Sequence, residues 1–547
     1  MLLITAALLF TWPVLVHGAP DLSADAIEHA RWVKIFSTQF WQGEWYPRWT
    51  AESSGGLGAP TFFFVPPAGS YGAALFRPLL TGHDPNGWLL AGWSMVLAGL
   101  LSALTAYFWL RDFTPPPAAL FGALVYTISP YHIAIDLYNR GALSEVWAFA
   151  WMPLVLLAVN RCVRGSRRAI ALLALSYGLL AFTHLPTVVC FSWVIPLAVW
   201  MMSEPGQRGK AFTRTFTGIG LGIAMAGAYV LPAMLDQKKS WLADLVNGDV
   251  WFYYRNNFLF MKLTSLLEYR VRVAVLVVSM LIAAVVLYWI ARRSESASAP
   301  RRAALLYLFA ALGAFFMMTQ ASIPVYEVFK FAQAIQFPAR FATTLTVALA
   351  ALSALAYPYL ARQSKRILGL LAILSFGWIA ADAWAASTAF SVWRKIPEDR
   401  AVKDRKTTVL RVEYYQYWPK PADTLRLHEP AALEAFLAAH PARSLVMSAG
   451  SAAVESWHPR RVAIKVHAPE DGQLTIRHFY YKDWRAHLQE SGQSVAVTPS
   501  PDGLIQVEMP RGDYTLIVEL IRDKPERIGL AMSAASCLAI LTMACLL

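Results

Sequence analysis

Two side chains near the amino terminus have the types and the spacing of a proton-transfer site. Asp25 and His29 are four residues apart, so on a helix their side chains lie on the same face. Arg48 follows after Gly43, a residue that favours a turn back toward them. A carboxylate beside an imidazole and a guanidinium can remain ionised at neutral pH and act as a base. We therefore predict a reactive site at Asp25, although a helix with a merely solvated polar face would show the same pattern.

A second group of charged residues lies in the segment SPYHIAIDLYNRGALSE. It contains Asp136, Arg140 and Glu145, and Gly141 allows a tight turn between two apolar stretches there. Glu145 would lie in the first turn of the following helix, where the helix dipole favours a carboxylate. Glu145 is thus a candidate for helix capping as well as for chemistry, whereas Asp136 and Arg140 have no such structural explanation.

Three further segments carry candidate functional residues. Arg340, in the run Gln336-Phe337-Pro338-Ala339-Arg340, lies where an apolar stretch begins. A planar guanidinium at that depth suits a lipid phosphate, although arginines at span ends also snorkel to the headgroups. His184, in FTHLP, could equally be a hydrogen-bonded structural residue. Glu413 and Tyr414 belong to an acidic and aromatic patch that could stack on a sugar face or form the edge of a core.

The elements that must position these residues are membrane spans. Hydrophobic residues make up 57% of the 547 positions, charged residues 15%, and the mean hydropathy is +0.42, which excludes a wholly soluble arrangement. The first apolar stretch could instead be a cleaved signal peptide, but it lacks the usual basic start. About twelve windows are apolar enough to cross a bilayer as helices, near 2–18, 87–110, 115–135, 145–160, 169–184, 187–203, 214–235, 271–291, 303–320, 341–361, 366–388 and 527–547.

The distribution of Lys and Arg predicts the orientation of these spans. If the spans alternate in direction, four basic loops fall on one side of the membrane; they lie within 161–168, 208–214, 292–302 and 362–366. The positive-inside rule makes that side cytoplasmic. Both termini lie on the same side and are therefore also predicted to be cytoplasmic. The net charge of +13 is therefore a topology signal and does not indicate a nucleic-acid partner. The four cysteines lie in or beside the spans and form neither a disulfide framework nor a metal motif.

The segments on the opposite side include a long first loop at 19–86 and a soluble stretch at 389–525. In the latter, RRVAIKVHA, GQLTIRHFYY and GLIQVEMP alternate as strands do, with Asp-Gly and Arg-Gly turns near them. We predict a membrane domain over 1–388, a periplasmic β-sandwich-like domain over 389–525, and a last span over 526–547.

Several motifs, in the order in which they occur, resemble a bacterial membrane protein family. They are WQGEWYPRW, SGGLGAPTFFFVPP, YNRGALSE, FTHLP, IQFPARF and VEYYQYWP. The family is labelled 6-pyruvoyl-tetrahydropterin synthase-related, and it is grouped with GT-C-type glycosyltransferases that use polyprenyl-phosphate-linked sugars. Nothing in the sequence indicates pterin chemistry. The resemblance covers most of the chain and implies a GT-C-like polytopic fold in a bacterial inner membrane.

The resemblance also implies roles for the candidate residues. In GT-C enzymes an acidic residue of the first external loop lies at the catalytic centre, and Asp25 matches it best. Asp21 and Glu28 are close by, and the Asp-Glu or Asp-x-Asp pair of better-known GT-C families is absent. The other catalytic candidates are His29, Asp136 and Glu145, with His184, Gln336, Glu413 and Tyr414 in support. The phosphate of the donor would be held by Arg48, Arg140 and Arg340.

The implied reaction is transfer of a sugar from a polyprenyl-phosphate carrier to a glycan, lipid or protein acceptor on the periplasmic face, with inversion. TFFFVPP would line the groove for the prenyl chain, and a divalent cation could assist, although the sequence has no clear metal motif. A non-catalytic transporter or assembly factor for lipid-linked glycans is the alternative. That alternative needs polar groups along a path through the membrane, whereas these are concentrated at one face. A receptor-like sensor would explain neither twelve spans nor YPRW.

Overall fold

A computed structural model describes residues 1–547 except 24, 243–251, 262–266, 295–297, 363–364, 391–416, 421–429 and 547. The chain forms a polytopic helical membrane domain followed by a domain of antiparallel strands and a last apolar helix. This architecture confirms the fold class predicted from the sequence. Glu413 and Tyr414 lie outside the described residues, as do positions 391–416 and 421–429 of the stretch 389–525 predicted to form the second domain.

The membrane helices correspond one for one to the apolar windows of the sequence. Within the described residues, nine helices are long and apolar enough to cross a membrane: Trp88–Arg111, Pro116–Arg140, Leu143–Val163, Leu185–Met202, Tyr269–Arg293, Pro300–Met317, Pro338–Leu360, Lys365–Thr388 and Lys524–Cys545. Two further helices, Pro205–Met225 and Gly227–Leu235, meet at an angle of 72° and make a tenth span if they are counted together. Two shorter apolar helices, Leu2–His17 and Arg168–Thr183, account for the remaining windows.

Helix Leu2–His17 packs lengthwise on Trp88–Arg111. The indole of Trp93 donates a hydrogen bond to the Leu15 carbonyl at 3.0 Å. Gly92 permits the close approach, since a Cβ there would lie 2.6 Å from the backbone of Gly18. The first apolar helix is therefore an integral part of the membrane domain's packing.

The first loop folds into a series of short helices. The longest, Ala26–Trp41, has hydrophobic residues at helical spacing and buries Val33 and Phe36. Gly and Pro then interrupt the chain into four helices of four to seven residues, Ser53–Gly56, Thr61–Phe64, Ala68–Ala74 and Arg77–Leu80.

A π-helix, Tyr131–Arg140, follows Pro116–Thr127 and ends at Gly141. Gly141 has φ +61, and a Cβ there would lie 2.5 Å from the Cβ of Ala26. A side chain at this position would therefore be strained and would also collide with the first-loop helix. The turn lets the chain reverse into helix Leu143–Val163.

The shorter elements and the segments within the spans complete the helical part: Leu185–Ser192, Val194–Met202, Pro205–Gln207, Arg208–Met225, Gly227–Leu235, Gln237–Lys239, Tyr254–Asn257, Leu267–Ser294, Ser298–Met317, Gln320–Ser322, Ile323–Val328, Lys330–Ile335, Pro338–Phe341, Ala342–Leu360, Lys365–Thr388, Pro430–Ala439 and Lys524–Leu546.

The second domain is a sandwich of two antiparallel sheets. Its strands are β1 Leu445–Met447, β2 Ser451–His458, β3 Arg461–Ala468, β4 Gly472–Phe479, β5 Trp484–Leu488, β6 Ser494–Val495, β7 Val497–Pro499, β8 Leu504–Met509 and β9 Gly512–Leu520. One sheet has the order β1-β4-β8-β7 and the other β2-β3-β9-β5-β6. Alternating apolar residues of both sheets meet in one core.

The sandwich is fastened to the first loop of the membrane domain. Trp49 and Phe63 of that loop belong to the same hydrophobic core as the strands. The Phe479 amide donates to the Leu57 carbonyl at 2.7 Å, and the Arg477 guanidinium donates to the Gly55 carbonyl at 2.8 Å. The two domains therefore share packing as well as chain connections.

Candidate active site

A cavity of about 760 Å³ lies among the first-loop helix, the π-helix and the ends of several spans. Its volume is typical of a small-molecule site, and charged and aromatic side chains face into it. Those relevant to chemistry are Asp25, Glu28, His29, Trp32, Tyr131, Arg140, Glu145, His184, Asn257, Tyr269, Arg270, Gln336, Arg340 and Tyr417.

Arg140 is the centre of a charge network on the wall of this cavity. One terminal nitrogen, Nη1, lies 2.8 Å from Asp136 Oδ1 and 2.6 Å from Glu145 Oε2, and the other, Nη2, lies 3.3 Å from Asp25 Oδ2. Asp136 and Glu145 are fully buried, whereas the Asp25 side chain is 32% exposed. Asp25 is therefore the carboxylate of this network that a bound molecule could approach.

The backbone fixes this arrangement from both sides. The Asp25 amide donates to the Arg140 carbonyl at 3.0 Å, and the Ala142 amide donates to the Asp136 carbonyl at 2.9 Å. Because Gly141 presses against Ala26, the start of the first-loop helix and the end of the π-helix stay in register. Two segments far apart in sequence thus place their charged side chains together.

Glu145 extends the network to the span Pro338–Leu360. Its Oε2 lies 3.4 Å from Arg340 Nε, and the Tyr131 hydroxyl donates to its Oε1 at 3.0 Å. A second nitrogen of Arg340, Nη1, donates to the Ile335 carbonyl at 2.6 Å. Glu145 thereby links Arg140 to Arg340, which faces the cavity from the opposite element.

A third arginine lines the cavity near Arg340. Arg270 donates to the Asn256 carbonyl at 2.8 Å and to Asn257 Oδ1 at 2.9 Å. The Asn257 side chain donates in turn to the Gln336 carbonyl at 3.1 Å. Gln336 has φ +62, a strained conformation for a residue other than glycine, and such strain is common at functional sites.

The histidines of the cavity are uncharged at neutral pH or hydrogen-bonded. Burial lowers the pKa of His29 to about 4, against the opposing effect of the Asp25 carboxylate. The neutral imidazole contacts Trp32 edge-on at 5.5 Å between ring centroids. His184 pairs through Nδ1 with the hydroxyl of Thr187 at 2.7 Å, an arrangement compatible with a structural role.

Aromatic side chains form the wall toward the β-domain. Tyr417 meets Trp32 at 5.6 Å between ring centroids and stacks near Phe64 at 6.4 Å. Of the run TFFFVPP, Val65 and Pro66 line the cavity, whereas Phe62, Phe63 and Phe64 are buried in hydrophobic cores.

The carboxylates of the cavity are arranged around a guanidinium. Among the described residues, no group of three or more His, Cys, Asp and Glu side chains has the arrangement of a metal site. Asp25, Asp136 and Glu145 all direct an oxygen at Arg140, so a fixed positive charge already lies where a cation would bind. These residues do not fit a divalent cation.

The family to which the chain belongs is shown by a match to a family model. Residues 78–390 match the model described as "6-pyruvoyl-tetrahydropterin synthase related domain; membrane protein", which is more than half of the sequence. The chain belongs to this family. The matched region contains Arg140, Glu145 and Arg340 but not Asp25. No curated protein matches the sequence.

Solved structures similar to this chain of the 6-pyruvoyl-tetrahydropterin synthase-related family have low sequence identity. ArnT from Cupriavidus metallidurans bound to undecaprenyl phosphate is 16% identical, with 75% of this chain and 68% of ArnT covered and a TM-score of 0.45. The oligosaccharyltransferase from Archaeoglobus fulgidus in the apo form is 13% identical, with 77% and 60% covered and a TM-score of 0.47. The arabinofuranosyltransferase AftD from Mycobacteria is 16% identical, with 71% and 26% covered and a TM-score of 0.41.

The structure brings most of the predicted site residues together. The cavity is lined by Asp25, His29, Arg140, Glu145, His184, Gln336 and Arg340. Asp136 lies behind the wall and reaches the site through Arg140. The catalytic and binding roles of these residues stay predictions.

Arg48 is not brought to this cavity. Its side chain is 1% exposed and donates to the Ala228 carbonyl at 2.5 Å. Its Nε lies 3.3 Å from Glu526 Oε1, at the start of the last helix. Glu526 lies almost 480 positions further along the chain, so no local pattern in YPRW could have indicated this partner.

Sequence reasoning missed Arg270, Asn257 and Tyr131 as lining residues. Arg270 precedes a long apolar run and resembles an ordinary charge at a span end. Tyr131 lies in the same segment as Asp136, and its position five residues earlier could have suggested a shared site. Asn257 has no distinguishing signal in the sequence, because its role depends on the neighbouring loop around Gln336.

Proposed function

We propose that this protein is a membrane glycosyltransferase that moves a sugar from a polyprenyl-phosphate donor to an acceptor on the periplasmic side. The observation that carries the proposal is the chain of contacts Asp25–Arg140–Glu145–Arg340 along the wall of one cavity. It supplies an accessible carboxylate and a guanidinium in the same enclosed space. The GT-C resemblance of the sequence motifs supports the same reaction.

In the proposed reaction Asp25 takes the proton of the acceptor hydroxyl as its oxygen attacks the anomeric carbon. The new glycosidic bond forms on one face of the sugar while the bond to the phosphate oxygen breaks on the other, so the configuration inverts. The electron pair of the broken bond leaves on the polyprenyl phosphate. Arg140 keeps the Asp25 carboxylate oriented, because its Nη2 lies 3.3 Å from Asp25 Oδ2.

The phosphate would be held by Arg340 and Arg270. Both line the cavity, and guanidinium groups there stabilise the negative charge that develops on the leaving group. Arg140 contacts three carboxylates, so we assign it to positioning the base. Arg48 is left out of the phosphate site because its contacts lie elsewhere.

The donor is the first thing to test. The purified protein would be extracted and its bound lipids identified by mass spectrometry, and the isolated donor would then be offered with candidate acceptors. Co-purification of a polyprenyl-phosphate sugar and its turnover by the protein support the proposal. If the protein binds that lipid but releases no polyprenyl phosphate with any of the acceptors tested, the result would instead favour a transporter or assembly factor.

The proposed orientation has a separate test. Ser451, in β2, and Ser166, in a basic loop, are both exposed. Single cysteines at the two positions, in a protein without its four natural cysteines, would be treated with an impermeant thiol reagent on intact spheroplasts. Labelling at 451 alone is expected, and labelling at 166 alone would reverse the orientation.

A further inference from the structure

A buried carboxylate outside the cavity contacts the π-helix that carries Arg140. Asp382 is 1% exposed and lies in the membrane-spanning helix Lys365–Thr388. Around it, alanines of its own helix share an apolar core with Ile133, Ala134 and Tyr138. A carboxylate in such surroundings is costly and is retained where it has a specific task.

The Ala134 amide of the π-helix faces Asp382, and among the described contacts it donates to neither of the carbonyls four and five residues back. The Ile133 amide donates to the Ser129 carbonyl, four residues back, at 2.9 Å, whereas the Ile135 amide donates to the Pro130 carbonyl, five residues back, at 3.0 Å. The hydrogen-bond spacing thus changes from four residues to five between Ile133 and Ile135. The Ala134 amide is left out of the series, because the Ser129 and Pro130 carbonyls accept from Ile133 and Ile135 instead.

The polar group that reaches the Asp382 carboxylate is this backbone amide of Ala134. The contact falls outside the strict limits of hydrogen-bond geometry, so neither carboxylate oxygen has a regular partner. Within the described part of the chain, Asp382 also forms no ion pair. An orphaned amide and an otherwise unpartnered carboxylate are thus opposed in an apolar core, where leaving either unpaired is expensive.

The helix of Asp382 also reaches the other half of the site. The Leu22 amide, three residues before Asp25, donates to the Ala389 carbonyl at 3.2 Å. Phe390 packs against Tyr138 of the π-helix at 6.4 Å between ring centroids. The end of this helix therefore contacts both segments whose charged side chains meet at Arg140.

We propose that Asp382 is a positioning residue that accepts the Ala134 amide and holds the π-helix in the register that presents Arg140 to Asp25. The expected loss of turnover rests on the proposed transfer reaction, whereas the expected change in the π-helix does not. Asp382 contributes as a hydrogen-bond acceptor, so asparagine can replace it and leucine cannot.

The test compares Asp382→Asn and Asp382→Leu with Ser387→Ala as the matched control. Ser387 lies on the same helix, is exposed, and bonds only the Trp384 carbonyl of its own helix among the contacts described. Hydrogen exchange of peptides covering 131–142 is measured by mass spectrometry in purified protein. We expect about tenfold faster exchange in the leucine variant, since the polar acceptor that faces the Ala134 amide is removed, and near wild-type exchange in the other two.

Turnover gives the second readout. The leucine variant is expected to lose about 10- to 100-fold in kcat through misplacement of the reacting groups, with donor-lipid binding within about threefold of wild type. Asparagine should restore both exchange and kcat. Unchanged exchange in Asp382→Leu, or equal damage in Asp382→Asn, would overturn the inference.

These outcomes separate the inference from the proposed function. Faster exchange with no detectable transfer in any protein, wild type included, would reject the transferase and retain the positioning role. If Asp382→Leu does not fold, Asp382→Ala takes its place in the same comparison, and equal exchange in the alanine and asparagine variants would reject the role of Asp382.

Discussion

Two cations in this protein each hold three carboxylates, yet they do different work. Arg140 contacts Asp25, Asp136 and Glu145 on the wall of the cavity. Lys239 lies away from the cavity, where it contacts carboxylates of three separate segments. The two clusters have the same charge composition, so composition alone does not distinguish an active-site network from an ion-pair cluster that connects structural elements.

The Lys239 cluster joins the parts of the molecule. Its Nζ lies 3.0 Å from Asp236 at the end of a membrane helix, 2.8 Å from Asp483 in the β-domain, and 2.5 Å from Asp523 just before the last helix. Three polypeptide segments therefore converge on one ammonium group, whose three N–H groups can donate hydrogen bonds in different directions.

The clusters differ in what surrounds them. The Arg140 network opens through Asp25 into a cavity of about 760 Å³, so one carboxylate is available to a ligand. The carboxylates around Lys239 are between 3% and 12% exposed, and all three share the Lys239 ammonium group as their cation. We infer that the first network serves chemistry and the second serves stability.

The largest expected effect follows from removing the base. Asp25→Asn keeps the shape of the side chain but cannot take a proton, so turnover should fall by about 10²- to 10⁴-fold. Glu28→Gln is the control, since Glu28 also lines the cavity and pairs with Arg31 at 3.3 Å. Near-normal transfer by Asp25→Asn, with loss in Glu28→Gln or Asp136→Asn, would show that another acid is the base.

The next effect concerns the phosphate site. Lysine keeps the charge of arginine but loses its two-pronged donor geometry, so Arg340→Lys should lower donor binding and turnover by about 10- to 100-fold. Arg48→Lys is the control, because Arg48 lies outside the cavity. Binding and turnover would be measured per folded molecule. If Arg340→Lys and Arg270→Lys both behaved as wild type, the carrier phosphate would lie elsewhere.

The Lys239 cluster should respond in stability rather than in activity. Lys239→Met leaves three carboxylates without their shared cation and should lower the free energy of unfolding by about 3 kcal/mol. Transfer per folded molecule should stay within about twofold of wild type, a tolerance set by the distance of the change from the reacting groups. Lys238→Met, at an exposed neighbouring position, should leave the Tm unchanged. A specific loss of turnover without a change in Tm would contradict the comparison.

The smallest expected effect is a pH dependence of the stability that the Lys239 cluster contributes. Burial raises the pKa of Asp236 to about 6, although the hydrogen bond from Lys239 opposes the rise. In the unfolded chain the pKa is about 4, so between about pH 4 and about pH 6 the folded protein keeps a proton that the unfolded chain has lost. The contribution of Asp236 to stability is therefore present below about pH 4 and is lost as the pH rises through about 6.

The measurement is the Tm of wild type minus that of Asp236→Asn, which should fall as the pH rises from about 4 to about 7. Asp523→Asn provides the opposite control. Burial alone would raise the pKa of Asp523, but the hydrogen bonds from Lys239 and from the Glu526 amide lower it. The corresponding difference should therefore rise with pH only up to about pH 4, the unfolded-state pKa, and stay level above it. Parallel slopes for the two variants would rule out this account of the cluster.

Much of the membrane architecture could be predicted because hydropathy is a local property. Each of the twelve apolar windows corresponds to a helix, although Leu2–His17 and Arg168–Thr183 are shorter than the other spans and one window is bent by 72°. The strands from Arg461 to Ala468 and from Gly472 to Phe479 follow the alternation seen in the sequence. The bend and the π-helix could not be predicted, since both depend on neighbouring helices.

For the site, the sequence determined which chemical groups are present and which of them neighbour each other locally. The pairing of Arg140 with Asp136 and Glu145, and the turn at Gly141, follow from short spacings. Only the tertiary structure decided that Arg140 meets Asp25, 115 positions away, and that Arg48 pairs with Glu526. Ion pairs act over a few ångströms, so partners distant in sequence are selected by the packing of the helices, which no local pattern encodes.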